Sequence, residues 1–185
     1  MAAAAAICQS KWLHEDVENM AVALSGLKGK LRIVGMGGSM ANAIHFAADL
    51  RKLCDIDAEA FDNIAELTAR ANDEGLGTIF VDWVAKGTAE DALMVLSVGG
   101  GDRVRGVSEA LCRAFDKAQE LKMRTFAIVG YGSNQRGGYV GNNADIVVRI
   151  PYEGKHVTPH TEAFQMVVIH CLVSHPLLQK RPTVW

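Results

Sequence analysis

The chain has 185 residues, 49% of them hydrophobic and 22% charged, which suits one domain with a substantial core and a composition of the soluble globular kind. A formal net charge of −2 gives no electrostatic pull toward nucleic acid or an anionic membrane, so neither is expected as a partner. The four cysteines, Cys8, Cys54, Cys112 and Cys171, contain no CxxC pair; this turns the reading from metal fingers and dithiol redox chemistry to reduced core thiols in a cytoplasmic protein.

Met1 to Ile7 is an alanine run with no basic start and no long apolar core. Residues 1–8 therefore read as a frayed N-terminus or the opening turns of a helix, not a signal peptide, and no stretch approaches a transmembrane length. From about Gln9 to Leu27, Trp12, Leu13, Val17, Met20, Ala21 and Leu24 recur at helical spacing, and Gly26 and Gly29 end the segment. Arg32-Ile33-Val34 reads as a buried strand. Gly35, Gly37 and Gly38 follow as a tight turn, and Ser39 can cap a helix running to about Leu53.

A strand, a glycine turn with a hydroxyl, and a helix N-terminus together favour an anion, and a small phosphate is expected there. Position 40 is Met, where the dinucleotide fingerprint needs a third glycine, and the Gly-Lys ending of a nucleotide loop is absent. No nucleotide cofactor is expected.

Ala60 to Ala71 reads as a short helix, Asn72-Asp73-Glu74-Gly75 as a turn, and Ile79 to Lys86 as helical or irregular up to the break at Gly87. Asp91 to Val98 is a second buried strand, leading into Gly99-Gly100-Gly101-Asp102-Arg103. Val104 to Leu121 has helical periodicity through Val107, Ala110, Leu111, Ala114 and Ala118. Arg124 to Val129 is a third strand, followed by the loop Gly130 to Asn134, and Ala144 to Ile150 is a fourth, closed by Pro151. Thr158 to Thr161 caps a last helix over about Glu162 to Val173, ended by Pro176. Strands that are near-continuous apolar runs and alternate with helices predict an α/β fold. Its sheet is parallel, with helices on both faces and ligands at the carboxyl ends of the strands. No repeat or composition break divides residues 1–185.

Three groups of residues can carry chemistry. His45 and Asp49 are four apart and share a helix face; the plain alternative is an ordinary surface contact. Glu162, Gln165 and His170 lie on the last helix, where a spacing of eight returns Glu162 and His170 to nearly the same face. Here the plain alternative is a satisfied core histidine. The loop Ser97 to Arg103 reads equally as a ligand loop with Arg103 or Arg105 for charge, or as a turn in which Asp102 caps the following helix. His156, His160 and His175 read as exposed.

These residues resemble the sugar isomerase (SIS) domain family, most closely its phosphoheptose isomerase branch. Gly35-Met-Gly-Gly-Ser-Met-Ala-Asn-Ala-Ile-His-Phe-Ala-Ala-Asp-Leu50 looks like the family's Gly-Asn-Gly-Gly-Ser…His-Phe-Ala-Glu-Glu-Leu motif. Asn72-Asp73-Glu74-Gly75, the strand Ala144 to Pro151 and Val167-Val-Ile-His170 resemble further segments in the same order. The resemblance implies a three-layer SIS-type fold with a five-stranded parallel sheet. It also implies a cytoplasmic homotetramer with active sites between subunits.

The implied reaction converts sedoheptulose 7-phosphate to a D-glycero-manno-heptose 7-phosphate through an enediol, with Asp49 and His170 exchanging protons. The family's metal positions fall on His45, Asp49, Glu162 and His170, a set suited to Zn²⁺ or another divalent ion. Contacts to the phosphorylated sugar fall to Gly37, Gly38, Ser39, Asn72, Asp73, Ser97, Gly99, Arg103 and Glu162. The chain departs from the family in having Asp49 for glutamate, Glu162 for glutamine, and Ser97-Val-Gly-Gly-Gly-Asp102 for a serine-rich phosphate loop. The same resemblance leaves open a non-catalytic module of the initiator-associating type and an isomerase of a different phosphorylated sugar.

Overall fold

A computed structural model describes Ala5 and residues 7–132, 135–152 and 155–183. Helix α1 (Lys11–Ser25) starts at Ser10, whose hydroxyl accepts the Leu13 N–H, and stops at Gly26. Strand β1 (Leu31–Gly35) leads through the glycine turn into α2 (Gly38–Cys54), which ends with Asp55 in the left-handed region. Then come β2 (Ala58–Ala60), α3 (Ile64–Asp73), a single 3-10 turn (Leu76–Thr78), and α4 (Val81–Ala85). The second half runs β3 (Ala92–Ser97), α5 (Glu109–Glu120), β4 (Arg124–Gly132), the two-residue β5 (Gln135–Arg136), α6 (Gly138–Asn143), β6 (Ile146–Pro151) and α7 (Val157–Val173).

Five strands pair in parallel in the order β2-β1-β3-β4-β6, and β5 adds a short antiparallel pairing to the end of β4. The fold class and five-stranded parallel sheet read from the sequence are present. Successive strand residues feed opposite faces. Ile33, Met94, Phe126 and Val148 pack under α1, α2 and α7, whereas Val34, Val95, Ala127 and Val129 pack under α4, α5 and α6. From β1 the chain goes outward to β2, and from β3 it goes the other way to β4 and β6. The crevice between the carboxyl ends of β1 and β3 is therefore the topological switch point. Among the described residues no helix is long and apolar enough to cross a membrane.

Several local expectations are corrected. The three-residue β2 was not expected, and the helix after it begins at Ile64, behind an Asn63 side chain that accepts the Glu66 N–H. Ser39 is not the cap of α2. Gly37 stands there at φ 60°, and Ser39 is buried inside the first turn. The helix expected from Val104 begins only at Glu109, because residues 102–107 form a closed turn. Asp102 and Val107 exchange two backbone hydrogen bonds, and the Asp102 carboxylate accepts the N–H groups of Val104 and Arg105. Asp102 thus caps its own turn rather than α5. The last helix starts a turn early, at Val157.

Only two cysteines are core thiols. Cys54 and Cys112 are buried, with burial pushing the Cys54 thiol up to about 11, while Cys8 and Cys171 are exposed. His175 is largely covered and bonds Glu18 at 3.1 Å instead of facing solvent. Of the N-terminal alanine run and the loop 130–134, residues 1–4, 6, 133 and 134 lie outside the described residues.

Gly35 decides how α2 sits on the sheet. A methyl group there would lie 2.6 Å from the carbonyl of Ser39, closer than packed atoms come, so β1 ends directly beneath the first turn of α2. Gly35→Ala is expected to lower stability by about 1–3 kcal/mol, as overpacking does, measured as a shift in the urea midpoint.

Candidate active site

Gly38, Asn42, His45 and Asp49 are spaced four, three and four apart, so α2 presents them along one stripe. His45 Nε2 lies 3.0 Å from Asp49 Oδ2. Helix α7 brings His170 across, with its Nε2 at 3.3 Å from His45 Nε2 and the two rings edge-on, centroids 5.4 Å apart. Apolar packing of Phe46 and Leu50 with Val168, Ile169 and Leu172 presses the two helices together. One polar clamp fixes their register: Asn42 Nδ2 donates to Gln165 Oε1 at 3.0 Å and to the Glu162 carbonyl at 2.9 Å. The His45 side chain is 47% exposed and that of Asp49 21%, so the group opens to solvent and is no buried core contact.

Protons alone satisfy this group poorly. A proton on His45 Nε2 can bond Asp49, but it then also points near His170 Nε2. A second proton on that nitrogen would set two N–H groups against each other. Three electron-pair donors turned toward one point are a natural seat for a cation. The ligand atoms of His45, Asp49 and His170 all lie within 4.8 Å of one another. The N···N separation of 3.3 Å matches the edge of a tetrahedron with bonds of about 2 Å. The group could therefore hold a divalent metal with positions left for substrate.

Glu162 is not part of that group. Eight residues set it about 12 Å along the helix axis from His170, and its carboxylate lies against Gly38 instead. A methyl group on Gly38 would be 2.6 Å from the Glu162 carboxyl carbon. The chain's own Glu162 carboxylate thus lies beside the first residue of α2, where an anion was expected. Ser39 is nearby, 1% exposed, with a hydroxyl that has no partner among the described residues. Thr161 Oγ1 and Gln165 Nε2 are likewise buried and unpaired.

The remaining expected contacts are dispersed. Ser97 is buried at the end of β3, and its hydroxyl accepts the Gly100 N–H at 3.0 Å. Gly99 follows in the same loop. Arg103 turns away to pair with Asp116 and lies over the Tyr139 ring, 4.6 Å from its centroid. Asn72 and Asp73 end α3 and bond each other on the surface, without a hydrogen bond to the histidine group.

The sequence reading assigned Asn42 no role. Its signal was present in the stripe it shares with His45 and Asp49, one turn earlier on α2. Asn42→Ala is expected to weaken Zn²⁺ binding about 10-fold, as loss of a residue that orients ligands does, measured by competition with a chromophoric chelator.

Comparison with known proteins fits this architecture, although no protein-family model matches the chain. It is 30% identical over 152 residues to the phosphoheptose isomerase of Helicobacter pylori, spanning 78% of this chain and 72% of that one. The solved phosphoheptose isomerase of Neisseria gonorrhoeae superposes with a TM-score of 0.75 at 27% identity, covering 87% of this chain and 85% of that one. A DnaA initiator-associating protein of Yersinia enterocolitica is also 30% identical, over 77% of this chain and 71% of its own. With a shared fold and an identity of 30% across most of both sequences, the chain belongs to the phosphoheptose isomerase family.

Proposed function

We propose that the protein isomerises sedoheptulose 7-phosphate to a D-glycero-manno-heptose 7-phosphate. The observation that carries this reading is the meeting of His45, Asp49 and His170 on paired helices of a phosphoheptose isomerase fold. A ketose–aldose exchange needs a base for the proton on the carbon beside the carbonyl and an acid for the carbonyl oxygen.

Asp49 is the base. Its Oδ2 faces His45, which leaves the other carboxylate oxygen for the proton on C1. His170 protonates the oxygen on C2, giving the enediol. Return of the carbon proton to C2 and removal of the proton from O1 complete the aldose, so no net proton is consumed. His45 orients Asp49 through the 3.0 Å contact between them. His45, Asp49 and His170 would hold a divalent ion, Zn²⁺ by the family's habit; such an ion would polarise the substrate oxygens as a Lewis acid in place of the His170 proton, since a ligating imidazole nitrogen carries none. Glu162, at Gly38, faces the sugar rather than the ion in this reading, and Gly37, Ser39 and Ser97 line the same carboxyl edge.

We assign the working form as a cytoplasmic homotetramer with sites completed between subunits. Ile44 on α2 and Val167 on α7 are both exposed and supply apolar surface for a second copy. Asn72 and Asp73, surface residues of α3, are then available to a neighbour's site. The Yersinia relative favours a second reading, a non-catalytic module; a histidine–aspartate–histidine group has no purpose in such a module.

The purified protein is expected to turn over sedoheptulose 7-phosphate, followed by NMR. His170→Ala and Asp49→Asn should each lower kcat by about 10²–10⁴-fold without changing the oligomeric state. Loss of activity with chelator and recovery with Zn²⁺ would support the metal role. Turnover untouched by chelator would leave acid–base chemistry alone, and fully active His170→Ala protein would overturn the assignment.

A further inference from the structure

Two further histidines meet at the opposite end of α7 from His170. His156 immediately precedes that helix and His160 stands in its first turn, with the His160 N–H donating to the His156 carbonyl at 3.3 Å. A spacing of four puts both side chains on one face. Their rings lie edge-on, centroids 6.1 Å apart, an arrangement close to that of His45 and His170 at 5.4 Å. Pro159 comes between them, in the first turn, where its missing N–H breaks no helix bond and its ring fixes φ. The two imidazoles are thus carried on a short, stiffened piece of backbone.

Neither ring is committed elsewhere. Among the described residues, the histidines that reach a carboxylate are His45 and His175, which leaves His156 and His160 without one. His156 is exposed. His160 is half-buried, and its Nδ1 is covered without a hydrogen-bond partner. A covered ring nitrogen with no partner is unfavourable. A half-turn of the ring exchanges Nδ1 with Cδ2, so that a carbon fills the covered place and the nitrogen is freed for a ligand. Ten residues along α7 separate His160 from His170, about 15 Å of helix axis. One ion cannot touch both.

We propose that His156 and His160 form a second divalent-metal site, independent of the group made by His45, Asp49 and His170. Two histidines four apart at one helix face are the bite by which zinc-binding helices hold their ion. An all-imidazole pair suits Zn²⁺, Cu²⁺ or Ni²⁺ rather than the hard ions that prefer oxygen, and water fills the remaining positions. Side-chain rotation closes the rings from 6.1 Å toward the 5.4 Å of the first group. The second site is the weaker of the two. It has two protein ligands against three, neither of them a carboxylate, and the positive end of the α7 dipole opposes a cation. Nothing in it rests on the isomerase reading.

The test titrates Zn²⁺ into the protein by calorimetry, with melting temperature as the check on folding. The parent is expected to bind two equivalents per chain, the second more weakly. His156→Ala/His160→Ala should retain the tighter equivalent and lose the weaker one, and both positions are open enough for the variant to fold as the parent does. His45→Ala/His170→Ala should do the reverse. In that background bound Cu²⁺ should show the electron-paramagnetic-resonance splitting of two imidazole nitrogens. A weaker equivalent that survives in His156→Ala/His160→Ala overturns the proposal, as does a parent that binds a single equivalent lost only with His45 and His170. If His45→Ala/His170→Ala unfolds, the comparison of the parent with His156→Ala/His160→Ala decides alone.

Discussion

At Gly35 the end of β1 passes so near the first turn of α2 that no side chain fits between them. This contact sets where α2 begins and how it is rotated about its axis. The rotation puts Phe46 and Leu50 into the core and leaves Gly38, Asn42, His45 and Asp49 along one ridge facing α7. If α2 rolled by one residue, about 100°, His45 would leave His170 and the Asn42 clamp would open.

The same helix shows how electrostatics divides the labour. Its N-terminus carries the partial positive charge of the helix dipole, and no acidic residue sits in its first turn. Glu162 from α7 supplies the missing negative charge against Gly38. Farther along α2, His45 and Asp49 draw His170 toward them. The two ends of one ridge therefore face different tasks, charge balance at one and proton or cation handling at the other.

Much of this was legible in the sequence where local chemistry and tertiary structure agree. The strand–glycine–helix unit could be read because β-branched residues, glycines and good helix formers follow one another without conflict. His45 and Asp49 were placed together by helical spacing alone. The start of α5 was misread because Val104 and Val107 continue an apolar period that Gly106 and the Asp102 side chain override. Strand β2 has only three residues and is specified by its pairing with β1, which no local pattern records. The grouping of Glu162 with His170 followed a shared helix face; distance along the axis, which a face count ignores, separates them. Ser39 looked like a cap because serine often is one, yet Gly37, with its positive φ, had already made the turn.

His45 and His170 are separated by 125 positions in the chain, and α7 follows every strand of the sheet. Contacts so distant in sequence carry a large loop-closure cost and slow folding. An incomplete or partly opened chain thus holds two-thirds of the histidine–aspartate group and none of its closure. Catalytic competence in this fold is in effect a report on complete folding: the histidine–aspartate group is not assembled until α7 has closed over α2.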